Sequence, residues 1–341
     1  MTSDTRSVDP MAIQTATMRA FALDAFGEAG SIRQLPVPEP GEGEVLVRVR
    51  AAGVGTTDLA VMAGFMAAYF EHTFPLVPGI DASGVVERVG PGVTEYRAGD
   101  EVFGYARSPV YGRGTFAEFT VLDVGAVQSR PASLTHEQAA VIAHASLTAL
   151  AAVDAAAPTH GHRVVLLGAT GGVGSYATQL LTEAGASVIA VTRGEYAKYA
   201  RSLGAADVID YTRTQPADAV RESDPDGIDA LLDFAGIPDL SSSMAPLVRS
   251  GGRVISIVMP PDVEGLAARG VTGLLVARTA AEHRFPEITS RIVGGEIKLP
   301  AIKAFPFDEI GAALELQATR HVRGKLVLVH STDPGTSSSG G

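Results

Sequence analysis

The sequence predicts an α/β protein in which a β-rich part is joined to a doubly wound parallel sheet. Three observations carry this. Before about Pro131 the text is a run of short strand-like segments separated by Gly and Pro, as in a compact β-rich domain. After Gly161, stretches rich in Val, Ile and Leu alternate with helical ones, the pattern of a parallel sheet covered on both faces. Where the first of those strands gives way to a helix stands a cluster of glycines, "LGATGGVGS".

In chain order, residues 1–17, "MTSDTRSVDPMAIQTAT", lack the basic and apolar regions of a signal peptide and read as a disordered leader, with Met11 or Met18 as alternative starts. "VLVRVR" (Val45–Arg50) alternates with period two, and so does "FAEFTV" (Phe116–Val121). "GIDASGVVERVG" (Gly79–Gly90) is an apolar run interrupted by Gly, which suits a bent strand. From Ser133, "SLTHEQAAVIAHASLTALAAV" opens on a Ser or Thr cap, carries Glu137 early and continues as an Ala-rich helix. "RVVLLG" reads as a buried strand, "GSYATQLLTEAGA" as a helix, "SVIAVT" as a strand, "EYAKYARSLGA" as a helix and "DVIDY" as a strand. "GIDALLDFAG" and "GGRVISIV" are further strands, and the alternation ends near "GLLVART". A helix in "EITSRIVGGE" leads to a last segment that closes on the strand "GKLVLV" and returns to the first domain. Residues 332–341 have linker composition and read as a disordered tail.

Composition narrows the function. With 38 acidic against 27 basic residues and a net charge of -11, neither nucleic acid nor an anionic membrane is expected as a partner. There is no cysteine, which excludes disulfides, thiolate nucleophiles and cysteine-ligated zinc. No apolar run reaches membrane-spanning length without Gly or charge, and a cytoplasmic protein is expected.

The glycine cluster is the strongest local signal. A strand ends at Gly168, and Gly171, Gly172 and Gly174 open a helix whose first amides, with Thr170 and Val173, can receive a pyrophosphate. An NAD site places an acid at the end of the second strand to hold the ribose hydroxyls. Here Thr192 and Arg193 occupy that turn, with Lys198 a helical turn on and Tyr211 closing the next strand. A guanidinium can grip a 2′-phosphate, so NADP(H) is the expected cofactor, and Glu195 is the residue that could reverse that choice.

Beyond these signals, the chain resembles the medium-chain dehydrogenase/reductase superfamily, in its zinc-independent quinone oxidoreductase and enoyl reductase branch. The marks are "PGEGEVLVRVRAAGV", "PGIDASGVVERVG", "GDEVFG", "GTFAEF", "LGATGGVGSYATQLL", "ARSLGAADVIDY" and "GKLVLV", in family order from Met18 to about His330. The resemblance implies a discontinuous GroES-like catalytic domain over residues 18–136 and 283–331. It implies a Rossmann NADP-binding domain over 137–282, a cofactor cleft between the two, and a homodimer. Zinc members carry Cys, His and commonly Cys where this chain has Gly55, Ile80 and His144, so one possible ligand is left and no metal is expected. Metal-free members usually have Asn at Gly55, and enoyl reductases often have Tyr where Met66 stands; both are missing.

The chemistry that survives is narrower. Reducing a plain ketone concentrates charge on one oxygen and calls for a Lewis acid or a placed acid. Hydride addition to an enone, an enoyl thioester or a quinone spreads the charge, and modest hydrogen-bond donors then suffice. The expected function is therefore an NADPH-dependent reductase of a small hydrophobic acceptor, with Thr56, Tyr69 and His144 as candidate donors. Gly55 frees space beside the nicotinamide, Thr148 supports that end, and Phe234, Ala235, Gly236 and Ile257 run past the ribose and nicotinamide. Asp58 and Asp81 read as structural hydrogen-bonders. A tailoring reductase for a large polyketide-like acceptor and a cofactor-binding regulatory protein remain alternatives.

Overall fold

A computed structural model describes residues 16–331 except Tyr69, Ser108 and Pro109, and the side chains of Val110 and Tyr111 are also outside it. The expected leader and tail thus fall almost wholly outside the described residues. Two sheets organise the rest. Six parallel strands lie in the order Asp207–Asp210, Ser187–Thr192, Arg163–Leu167, Ile228–Asp233, Val248–Ser256, Thr272–Leu275. The order reverses between Arg163–Leu167 and Ile228–Asp233, and in such sheets the crevice at the strands' carboxyl ends binds ligands. The strands are apolar on both faces because both are covered: Val164 and Leu166 face one cluster, Val165 and Leu167 the other.

The second sheet runs Ile302–Pro306, Lys325–Val329, Glu44–Val54, Asp81–Val89, Glu101–Tyr105, Val127–Ser129, with Phe119–Asp123 also paired to Glu44–Val54. Its first two strands come from the far end of the chain, so the polypeptide leaves this sheet, builds the parallel one and returns. Gly84 and Gly104 are required here, since a Cβ on either would stand 2.1 Å from a backbone oxygen of a crossing segment. The stretch from Asp81 to Val89 is one strand, and each member of its pairing with Glu44–Val54 has one irregularity: Glu87 is the extra residue opposite Leu46/Val47, and Arg50 the extra residue opposite Gly84/Ser83.

Between the sheets runs the apolar stretch His136–Ala156, which breaks into helices His136–Ala139 and Ala143–Ala156. By length and composition it could cross a membrane, yet 83% of its most apolar 18-residue window is buried inside the protein, which accounts for its apolarity. The two parts of the molecule meet through aromatic contacts. Phe103 packs edge-on against Phe285 at 5.3 Å, and the Arg278 guanidinium lies 4.2 Å over the Tyr105 ring.

Candidate active site

The glycine loop sits at the switch point. Gly168 has φ 77, a conformation that favours glycine, and Phe234 N–H donates to Leu167 O across the crevice at 3.2 Å. Gly174 is demanded by packing, because a Cβ there would lie 2.2 Å from Gly168 O and 2.7 Å from Ala169 C. Gly171 is the opposite case: its nearest neighbour would be Gly168 O at 3.4 Å, so it leaves room. The helix Gly172–Glu183 starts here with its first amides lacking helical acceptors, and half-buried Val173 stands in that first turn. These residues fit the pyrophosphate of a dinucleotide.

Around the adenosine end, Thr192 is buried with its hydroxyl 2.7 Å from that of Thr170, which joins the ends of two strands. Arg193 Nε lies 2.9 Å from Glu195 Oε1 in an ion pair, so the one acid of this turn is tied to the cation. Lys198 and Tyr211 are exposed nearby, and burial raises the Tyr211 phenol while Arg193 pulls it down. A second group of cations comes from the far end of the chain. Arg320 donates to Gly236 O at 3.0 Å, Arg323 lies 5.5 Å from the Tyr199 ring, and Tyr196 Oη donates to His321 O. The sequence reading passed over this segment, although "TRHVRGK" is a basic run directly before the last strand.

Lys325 links that segment to the other end of the crevice. Gly324 N–H donates to Thr170 O, and the Lys325 stem occupies the space over Gly172, where a Cβ would meet its Cδ at 2.6 Å. Its ammonium donates to Asp81 Oδ2 at 3.1 Å and would stand 3.6 Å from a Cβ on Gly55. Asp81 Oδ1 accepts the backbone N–H of His144 at 2.9 Å. Gly172 is therefore a seat for lysine, and Gly55 opens toward an ammonium.

Of the three candidate donors, the structure brings His144 into this group. Its Nε2 lies 3.3 Å from the hydroxyl of Thr57, the residue after Thr56. Thr56 itself is exposed, and Tyr69 lies outside the described residues. Burial pushes the His144 imidazole down to about 4, with Asp81 opposing and Arg278 and Lys325 assisting, so the ring is neutral at pH 7. Thr148, buried, spends its hydroxyl on His144 O at 2.7 Å. Ala235 and Gly236 donate their N–H groups to Asp233 Oδ1, and Ile257 N–H donates to Asp233 O, which shapes the crevice wall beside half-buried Phe234.

Comparison with known proteins bears on what this crevice does. The model of the alcohol dehydrogenase GroES-like domain matches residues 41–132, and that of the zinc-binding dehydrogenase matches residues 203–328. A solved alcohol dehydrogenase superfamily protein from Novosphingobium aromaticivorans is 30% identical, with TM-score 0.78, covering 92% of this chain and 99% of its own. The chain belongs to the medium-chain dehydrogenase/reductase superfamily. As a member of that superfamily it is an oxidoreductase using a nicotinamide cofactor. It is also similar to the quinone oxidoreductase of Coxiella burnetii, at 26% identity and TM-score 0.80 over 92% of this chain and 99% of that one. The NADPH-dependent alkenal/one oxidoreductase of Arabidopsis thaliana is 29% identical over 91% of this chain and 79% of its own length.

Zinc does not fit this superfamily member. Gly55 and Ile80 offer no ligand, and among the described residues no group of three or more His, Cys, Asp or Glu side chains could hold a metal ion.

Proposed function

We propose that this protein passes a hydride from NADPH to a quinone or an activated C=C bond of a small hydrophobic acceptor, without a metal. The observation that carries the reading is the Thr57 hydroxyl backed by a neutral His144 beside Gly55, where the superfamily's zinc ligands are missing. The bound nicotinamide would supply the hydride. The chain's own part is to orient the acceptor and meet its developing charge with a hydroxyl, which suits a delocalised anion.

His144 Nδ1 is buried with no partner among the described residues. An orphaned lone pair costs less than an orphaned N–H, so the proton belongs on Nε2, which donates to Thr57 Oγ1. The Thr57 proton is then free to point at the acceptor. NADPH over NADH is supported by the cations Arg193, Lys198, Arg320 and Arg323 and by the pairing of Glu195 with Arg193. Exposed Leu274 and Leu275 on the outermost parallel strand support a homodimer through that edge.

The experiment is a panel of quinones and enones with NADPH and NADH, repeated for Arg193→Ala. Turnover with NADPH is expected, and the variant should raise the NADPH Kd roughly tenfold, the worth of one charged hydrogen bond, with the NADH Kd unchanged. Tight NADPH binding without turnover would instead identify a cofactor-binding protein.

A further inference from the structure

Beside Thr57, one buried acid is left unexplained by this reading. Asp58 is 3% exposed and sits in the first turn of the helix Thr56–Met62. Its Oδ2 accepts the Gly55 N–H at 2.7 Å, which caps the turn. Its Oδ1 is buried and has no partner among the described residues. The same residue lines a small cavity of about 20 Å³ with Pro78, Gly79, Ile80, Ala106 and Arg113. Behind Gly79 of this lining a second buried oxygen, Thr115 Oγ1, is also without a partner among the described residues, 2.4 Å from where a Cβ on Gly79 would stand. A cavity of that size holds one water molecule, and the partnerless Asp58 Oδ1 on its lining offers that water a polar contact.

The charges around Asp58 decide its form. Lys325 is its one close cation, but that ammonium donates to Asp81. An ionised Asp58 would be a second buried carboxylate on one lysine, and Arg113, also on the cavity lining, is exposed. Burial and the Asp81 charge raise the Asp58 carboxyl to about 7 against the pull of Lys325 and the Gly55 N–H. Below neutral pH, Oδ1 thus carries a proton and has no acceptor among the described residues.

We propose that Asp58 is the proton source for reduction, its Oδ1–H handing a proton through one water in this cavity to the acceptor that Thr57 orients. The inference rests on the proposed function. As the β-carbon of an enone accepts hydride, with the nicotinamide oxidised, the C=C electron pair moves toward the carbonyl. An O–H bond of the water breaks as the α-carbon gains its proton, the Asp58 O–H bond breaks to restore the water, and solvent reprotonates the carboxylate. For a quinone the proton goes to the reduced oxygen. Asp58 acts through the water and is a positioned acid rather than a group touching the acceptor.

The test is Asp58→Asn, which keeps an acceptor for Gly55 N–H and has no proton to give. The wild type should lose kcat for an enone as pH rises through about 7. The variant should bind NADPH within twofold, turn over the enone about 100-fold more slowly, and lose that alkaline limb. Infrared spectra of the wild type at pH 6 should contain a protonated-carboxyl band that fades above neutral pH, and the folded variant should lack it. A variant with wild-type kcat and pH profile would overturn the inference, and so would a wild type without the band, a result that needs no folded variant. Failure of the wild type to bind NADPH or to reduce any acceptor would sink the functional reading instead.

Discussion

Lys325 donates to Asp81 across 3.1 Å, with their side chains 8% and 2% exposed and 244 residues apart in the chain. Through this bond the last strand, the strand Asp81–Val89 and the start of the helix Ala143–Ala156 are held to the glycine loop. A buried ion pair adds little net stability over apolar packing, but removing one partner strands the other. Lys325→Met should therefore destabilise the protein by about 3–5 kcal/mol, and adding Asp81→Asn should restore part of the loss. Urea unfolding of the two single variants and the double variant checks this as a cycle.

Gly174→Ala should do more harm than Gly171→Ala. At Gly174 the new methyl meets backbone that cannot yield, whereas Gly171 has space. Calorimetric titration with NADPH should show at least tenfold weaker binding for Gly174→Ala, with Gly171→Ala closer to the wild type, because the close strand–helix packing sets the amides that receive phosphate.

Thr57→Val removes the hydroxyl proposed to meet the acceptor. Turnover should fall about 100-fold with little change in NADPH affinity, and Thr57→Ser should recover most of it. Thr56→Val, at an exposed site one residue earlier, should stay within threefold of the wild type. Steady-state rates beside NADPH binding constants separate these outcomes.

Acid should unfold the protein through buried histidines. His144 and His330 are both lowered from 6.5 to about 4 by burial; His330 stacks on Phe307 at 4.2 Å. A depressed histidine binds its proton in the unfolded chain first, so stability is full above 6.5 and falls as pH drops toward 4, at about 1.4 kcal/mol per unit for each ring. Asp58, raised to about 7, works the other way over the same window, so His330→Leu should lower the net slope between pH 6.5 and pH 5 by about 1.4 kcal/mol per unit in urea melts, close to cancelling it.

Much of this architecture was legible because it is written in contiguous text. The Val- and Ile-rich strands announced a parallel sheet, and "LGATGGVGS" announced the loop at its switch point. The expected single helix after Ser133 is broken at 140–142, where Ala140 O comes so near the strand Glu44–Val54 that Gly53 has no room for a Cβ, 2.5 Å away. No periodicity encodes such a contact. The strand expected at Phe116–Val121 runs Phe119–Asp123, and two helices were not expected: Pro216–Ser223, which buries Pro216, Ala217 and Val220, and Pro238–Met244, which buries only Met244. At the site, Thr56 was the residue expected, yet Thr57 is the one beside His144; on a helix one residue means a rotation of about 100°. The tie of Lys325 to Asp81 joins distant segments and leaves no trace in local spacing.

The central claim is hydride transfer from NADPH without a metal. It is tested most directly by rapid mixing of chelator-treated protein with NADPH and a quinone, following the reduced nicotinamide absorbance, with metal content measured on the same sample. Oxidation of NADPH by protein holding far less than one zinc per chain is the result predicted here. No dinucleotide binding, or activity that returns only with one equivalent of zinc, would contradict it.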